Sequence, residues 1–550
     1  MSQMLKSSGA MGLATLSSRI LGMVREMVYA HFMGDGPVAS AFKLAFQIPN
    51  LFRRLLGEGA LSAAFIPMFK EKEKWAGEAE MWRAANAVIS GLMVAASVII
   101  GLVLLGVSVA LIAGTPTPLS AEYAGALLPG NAAEELGRLP LSGFSDSTLL
   151  LLRLLRWMFP YMLLVCLAAV FMGMLNARGH FFIPAMSATM LNVVMIASVL
   201  FLAPRFGRAL DQQIFGLAVG VLIAGIAQAA FQLPTLHREG FRFQWIAPWG
   251  NEVVRNVLEK MVPGMLGVAA FQINVLLTNG LAFWVDPQIV ASFDYAVRLM
   301  ELPQGVFGIS LATYLLPTLS GLAAEKKYTA FCDTLRQGLG YLIFINLLAS
   351  VLLVVMAEPI VRLLFERGAF DPGATRRAGL ALACLAPGLV AFSTVNILAR
   401  AFYALGDTKT PMQIGAVCLG LNLCFALWLV FPFRQGGLGI ANTMSAIFNV
   451  YLLLYALRKK LRRLDLSALY RVVPWMFAAT VLAGEVAWFG CRFWDKSFGH
   501  ATLLAKIGAV FVPLGAASVA YWAVAMAVKI PQIQDMVDLV RKPPSRGKPL

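Results

Sequence analysis

The chain has 550 residues, of which 59% are hydrophobic and only 13% charged, and its mean hydropathy is +0.74. That balance excludes a soluble globular domain and indicates an integral membrane protein. A formal charge of +16 does not imply nucleic acid, because the basic residues are spread over short connections where they set topology and meet anionic lipid.

Apolar runs of about 20 residues, enough to cross ~30 Å of hydrocarbon, recur from end to end. They predict helices at 7–31, 40–69, 84–113, 147–177, 182–203, 213–236, 256–285, 288–321, 330–357, 376–405, 411–432, 436–457, 470–492 and 501–528. The fold class is therefore all-α, with about fourteen transmembrane helices. The first run contains Arg19 and Arg25 and reaches Tyr29 without a short apolar core and small-residue cleavage site, so it is expected to stay in the mature protein.

On the second run, helical spacing aligns Lys43, Gln47, Arg54 and Glu58 along one stripe and sets Asn50 and Arg53 on a neighbouring one. The connection 114–146 holds Glu122, Glu134, Glu135 and Asp146 against Arg138 alone. On the eighth run Asp294 precedes Arg298 by one turn and Glu301 follows it by three residues. Alternate connections carry the basic residues: Lys70, Lys72, Lys74 and Arg83, then Arg238 and Arg242, then Lys326 and Lys327, then Arg458 to Arg463, then the C-terminal tail. The positive-inside rule places these, and both termini, in the cytoplasm.

The chain also resembles itself. Pro160, Gly179 and Pro184 recur at one constant offset as Pro387, Gly406 and Pro411, and Gly216-Leu217-Ala218-Val219-Gly220 is similar to Gly437-Leu438-Gly439-Ile440-Ala441. Pro49 with Pro67 is similar to Pro303 with Pro317, and the long 114–146 connection accounts for the change of offset. We read two six-helix pseudo-symmetric lobes, 1–240 and 241–463, followed by a helix pair with a basic tail at 464–550. Such lobes are expected to enclose a cavity and rock about it, with proline-broken helices supplying the bends.

Of the arginines inside the apolar runs, six are singled out: Arg19, Arg25, Arg53, Arg54, Arg298 and Arg400. A guanidinium stays charged in hydrocarbon at a cost of at least ~2.5–3.5 kcal/mol, so such residues usually line a wet cavity or a substrate path. The bland alternative is that they pair off or snorkel to the interface, which applies chiefly to Lys43, Arg54 and Arg400, near helix ends. For Arg19, Arg25, Arg53 and Arg298 the cavity reading is preferred. Guanidinium forks match phosphate oxygens, so the expected cargo is an anion bearing phosphate or diphosphate. The cysteines, Cys166, Cys332, Cys384, Cys418, Cys424 and Cys491, form no metal-binding pair, and the histidines lack ligand spacing, so no metal site is expected.

Four blocks carry a resemblance: SSRILGMVRE near the start, FQIPNLFRRLLGEGALSAAFIP at 46–67, YAVRLMELPQGVFGISLATYLLPTLS at 295–320 and LARAFYALGDTKTP at 398–411. In order and over nearly the whole chain, they resemble the MurJ (MviN) family of lipid II flippases in the MOP exporter superfamily. The resemblance implies the MOP transporter fold and transport of lipid II, an undecaprenyl-diphosphate-linked disaccharide-pentapeptide, across the bacterial inner membrane for peptidoglycan synthesis, with no catalytic activity. The family's essential cavity arginines fall on Arg19, Arg25, Arg53 and Arg298, and we group Glu26, Asn50, Glu58 and Asp294 with them as substrate-binding candidates. The last two helices are expected to wall a groove for the polyprenyl tail.

In two places relatives often carry an aspartate where this chain does not: Ser40 loses that charge, whereas Glu26 keeps it. A role for an acidic residue at position 40 does not carry over. Family members couple to membrane potential or to a cation; Asn274, Thr278, Ser393 and Asn396 offer oxygens without an intramembrane aspartate beside them, so the coupling ion, Na+ or H+, stays unassigned and no cofactor is expected. Membrane lipids are the surrounding partners, a monomer is expected, and the cell-wall synthesis machinery is a candidate contact. Competing readings are a drug exporter, which should have an acidic cavity; a flippase for another polyprenyl-linked glycan; and a membrane glycosyltransferase, which should gather carboxylates or a metal at one membrane face.

Overall fold

The computed structural model describes the backbone of residues 2–55, 60–114, 144–461 and 464–535, and among these there are helices and connections but no strand. The chain divides into two compact units, Met1–Phe283 and Trp284–Leu550. Eight of the described helices are long and apolar enough to cross a membrane, or ten when each of two bent pairs counts as one span. The difference from fourteen has identifiable sources. The long helix Lys409–Leu461 is two segments joined across Arg434, where φ is 48°. The helix that begins at Pro37 is only 16 residues long before its geometry changes.

In the first unit, α1 (Ser2–Met33) and α2 (Pro37–Phe52) are joined by a short turn, and Pro37 opens α2 at a position that needs no backbone donor. A π-helical turn at 53–55 follows α2, a few residues after Pro49. A proline leaves a carbonyl unpaired upstream, and a widened turn is one way to absorb the disturbance. Next come α3 (Ala60–Gly114), broken at Gly77, then α4 (Asp146–Met158), α5 (Tyr161–Ala177), α6 (Phe182–Ala197), α7 (Leu210–Arg238) and α8 (Glu252–Val285). The Ser145 hydroxyl caps α4 by accepting from the Thr148 amide at 3.3 Å. In this unit α6 packs on α1 and α7, α5 on α3 and α7, and α4 on α2.

The second unit contains α9 (Gln288–Pro303), α10 (Ser310–Ala324), α11 (Tyr328–Val355), α12 (Ala357–Phe365), α13 (Pro372–Leu385), α14 (Gly388–Ala404), α15 (Lys409–Leu461), α16 (Ser467–Ser497) and α17 (Leu503–Ala527). A π-helical segment, Gln304–Ile309, follows Pro303 directly, as the turn at 53–55 follows the matched Pro49. The terminal pair is held through α16, whose Ala479, Ala483 and Ala487 are fully buried at one-turn intervals. Small residues so spaced let helices approach closely. Tyr521 on α17 donates to the Phe344 carbonyl of α11 at 2.7 Å, fastening the pair to the unit.

The sequence repeats have local physical causes. The α4–α5 pair bends by 45° at Phe159-Pro160, and the α13–α14 pair by 46° at Ala386-Pro387. Gly179 and Gly406, with φ of 87° and 73°, each end a helix in the left-handed region. In both, the next residue's amide reaches back five positions, His180 to Leu175 and Asp407 to Phe402, closing the same type of cap. Gly216 and Gly437 mark close approach: a Cβ would lie 2.7 Å from the Ala203 Cα and 2.1 Å from the Leu429 oxygen, respectively.

Those caps are clasped with opposite polarity. In the first unit Glu239, just past α7, accepts from Arg178 Nε at 2.7 Å and pairs with His180 Nε2 at 2.8 Å; Arg178 also pairs with Glu78 at 2.9 Å and with Glu73 on α3. His180 and Arg178 hold the Glu239 carboxyl below its usual range, and these carboxylates push the Arg178 guanidinium above its own. In the second unit the acid is in the loop and the base on the helix: Lys460 Nζ donates to Asp407 Oδ2 at 2.7 Å.

Candidate functional site

Glu26 is the only carboxylate carried by α1 and α2, and it is 4% exposed. Arg25 Nη2 donates to its Oε1 at 2.6 Å, and Lys43 Nζ lies 3.5 Å from Oε2. A buried carboxylate between two cations is stable because each charge that lost water has gained a partner. The Arg25 guanidinium also lies 5.5 Å from the centre of the Tyr29 ring, within cation–π range. Tyr29, Phe42, Phe46 and Tyr161 continue as a chain of touching rings, with centroids 5.8 to 6.4 Å apart, giving the cluster an apolar backing.

Lys43 therefore does not snorkel to an interface: its side chain is 9% exposed and points at Glu26. Beyond it, α2 meets α8 through two polar contacts. Asn279 Nδ2 donates to Gln47 Oε1 at 2.8 Å, and Arg54 Nη1 donates to Gln272 Oε1 at 3.3 Å. Both pairs are seven residues apart on each helix, in opposite order, as antiparallel neighbours require. The predicted one-turn pair is present as well, Arg53 Nε donating to Asn50 Oδ1 at 2.7 Å. Arg19 is exposed on α1 and has no ion-pair or hydrogen-bond partner among the described residues. Glu58 lies outside the described residues.

In the second unit Arg298 Nη1 donates to Glu301 Oε2 at 3.1 Å, with the arginine side chain 38% exposed, and half-buried Asp294 stands one turn earlier. Arg400 is tied differently: it donates to the Asn396 carbonyl of its own helix at 3.4 Å and to Thr313 Oγ1 on α10 at 3.3 Å, so it links α14 to α10. Of the candidate ion oxygens, Asn274 and Thr278 belong to the first unit and Ser393 and Asn396 to the second. The Asn396 amide donates to the Phe392 carbonyl at 3.1 Å. Ser40, in the first turn of α2, is fully buried.

Sequence reasoning missed Tyr29, Gln272 and Asn279. The signal for the last two was present: they are polar, seven apart on α8, and opposite Gln47 and Arg54, which are also seven apart. Chemically, the first unit concentrates Arg19, Arg25, Lys43, Arg53 and Arg54 on α1, α2 and the turn after them, against Glu26. That excess of fork-shaped donors suits a multiply charged oxyanion rather than a cation.

A family model described as lipid II flippase MurJ matches residues 29–508. Among curated relatives, a probable lipid II flippase MurJ of Haemophilus influenzae is 34% identical over 452 residues, covering 81% of this chain and 84% of that protein. One of Vibrio cholerae is 32% identical over 497 residues, covering 90% and 89%. Among solved structures, a lipid II flippase MurJ in an inward closed conformation matches with a TM-score of 0.72 at 20% identity, covering 96% of this chain and 99% of that one. An inward-facing multidrug resistance MATE family transporter of the MOP superfamily matches with a TM-score of 0.61 at 14% identity, covering 82% and 98%. These structural likenesses show the fold.

Proposed function

The chain belongs to the lipid II flippase MurJ family, and on that premise we propose that it moves lipid II from the cytoplasmic to the periplasmic leaflet of the inner membrane, by alternating access, for peptidoglycan synthesis. The observation that carries this reading is the cationic cluster built around one buried carboxylate in helices that are otherwise apolar. Its chemistry fits a diphosphate. Arg19, Arg25, Arg53 and Arg298 take the diphosphate and sugar head, with Asn50 orienting Arg53 and Glu26 orienting Arg25 and Lys43.

Glu26 also has an electrostatic task. Without cargo it offsets the repulsion between Arg25 and Lys43; with a diphosphate present the cations have a second anion, and the cluster is closer to neutral. Binding then costs little further desolvation at Arg25 and Lys43, whose side chains are already largely out of bulk water. The polyprenyl tail stays in lipid alongside α16 and α17. No bond in the cargo is made or broken, both termini face the cytoplasm, and a single chain suffices.

The decisive experiment is reconstitution of the full chain into liposomes with labelled lipid II, read as leaflet exchange with and without an imposed potential or sodium gradient. Arg53→Ala and Arg298→Ala are expected to fold and insert but to abolish exchange. Wild-type exchange in either variant would remove that residue from the proposed site.

A further inference from the structure

A second basic site lies elsewhere in the first unit and shares no residue with the cluster around Glu26. A groove of about 780 Å³ is lined by Ser108, Leu111 and Ile112 of α3 and by Arg153, Arg156 and Trp157 of α4. On each helix these residues sit at i, i+3 and i+4, so one face of α3 and one face of α4 form the two walls. The helix ends are held together beside it: the Phe144 amide, just before α4, donates to the Gly114 carbonyl that ends α3, at 3.3 Å.

The depth of this groove follows from helix geometry. At 1.5 Å per residue, α4 and α5 are about 20 and 26 Å long, and across their 45° bend the pair still reaches about 40 Å, against ~30 Å of hydrocarbon. The far end of α5 is fixed outside the hydrocarbon by the charged Arg178–Glu239–Glu73 network. The surplus length falls on α4, which sets Arg153 and Arg156 roughly 10 and 15 Å below the first residue of α4, at headgroup level on the opposite face of the membrane. Trp157, whose ring meets Phe215 edge-on at 6.2 Å, stands where interfacial tryptophans collect.

The lining is chemically one-sided. Arg153 and Arg156 are exposed and have no ion-pair or hydrogen-bond partner among the described residues. Among the described residues no carboxylate lines the groove to receive an ammonium group. Ile112 and Trp157, 74% and 48% exposed, offer apolar surface beside the guanidiniums. We propose that Arg153 and Arg156 bind the phosphate of an anionic phospholipid on the membrane face opposite Arg178, with the acyl chains against Ile112 and Trp157. The bidentate forks select the phosphate, the described lining offers two guanidiniums and no carboxylate to a zwitterionic head, and the lipid becomes a fixed neighbour of the α3–α4 corner.

Native mass spectrometry of the full chain, released from detergent with phosphatidylglycerol or phosphatidylcholine added, tests this. Wild type should retain phosphatidylglycerol in preference to phosphatidylcholine. The variant Arg153→Gln/Arg156→Gln should lose that retention by about tenfold or more, while its thermal unfolding and its weak phosphatidylcholine binding stay as in wild type. Arg153→Lys/Arg156→Lys, which keeps charge but not the forks, should fall between them. Equal retention of phosphatidylglycerol by wild type and the Gln variant would overturn the proposal. So would displacement of phosphatidylglycerol by undecaprenyl diphosphate or by inorganic phosphate at matching concentration, since the groove would then be a cargo or free-anion site.

Discussion

Glu26 shows how one side chain can decide the behaviour of its neighbours. Removing its charge leaves Arg25 and Lys43 facing each other out of water, and breaking a buried ionic group of this kind costs on the order of 3–5 kcal/mol. Glu26→Gln is therefore expected to lower the thermal unfolding temperature in detergent clearly, and Glu26→Asp much less; similar curves for both would mean the carboxylate is not balancing the two cations. Arg400 should behave in the opposite sense to Arg53. Because it ties α14 to α10 through Thr313, Arg400→Ala should cost some stability while lipid II exchange persists at a reduced rate, and complete loss of exchange would place it in the cargo path. At this scale the sequence was partly legible. The Asn50–Arg53 pair follows from spacing within one helix, whereas Lys43 and Glu26 sit on different helices, and no periodicity says how α1 is rotated against α2.

Among the elements, the repeat is legible because it is written in glycine and proline, whose roles are set by backbone geometry rather than by neighbours. Gly179 and Gly406 occupy left-handed caps, and Pro160 and Pro387 stand at bends of nearly equal angle. Gly216 and Gly437 each admit a backbone that a methyl group would strike, so Gly216→Ala and Gly437→Ala should each destabilise by roughly 1–3 kcal/mol, read as a lowered unfolding temperature. The clasp on α15 has a defined pH signature. The Lys460 ammonium, aided by the Thr410 amide, lowers Asp407 to about 2 from an ordinary 3.8. Its folded-state value is the depressed one, so its contribution is complete above the ordinary range and fades as pH falls from there toward about 2. Unfolding temperatures of wild type and Asp407→Asn should differ by a constant amount near neutrality and converge in acid; a difference that persists at the acid end would rule out the carboxylate as its source. Helix boundaries were legible where proline and glycine mark them, as between 432 and 436, where the chain turns at Arg434, and less so at Pro37 to Phe52, where the helix is short before its geometry changes.

Across the whole molecule, composition together with the recurring apolar runs gave the all-helical membrane class, while the expectation of a phosphate-bearing cargo came from charged residues that hydropathy treats as interruptions. The same residues that lower the apolarity of α1 are the ones proposed to hold the cargo, so a count of spans and a search for the site pull in opposite directions on one helix. The packing units, Met1–Phe283 and Trp284–Leu550, could not be read from repeats, since self-similarity reports matching local geometry and not which helices touch. The two clasps add a final consequence. Histidine and arginine face glutamate in one unit, aspartate faces lysine in the other, and so the halves are no longer interchangeable parts. Grafting the first loop's base into the second, as Asp407→His, sets like against like beside Lys460 and should loosen that end, and the compensating Lys460→Glu should restore it; transplanting one half's connector into its twin therefore requires exchanging the receiving helix tip as well.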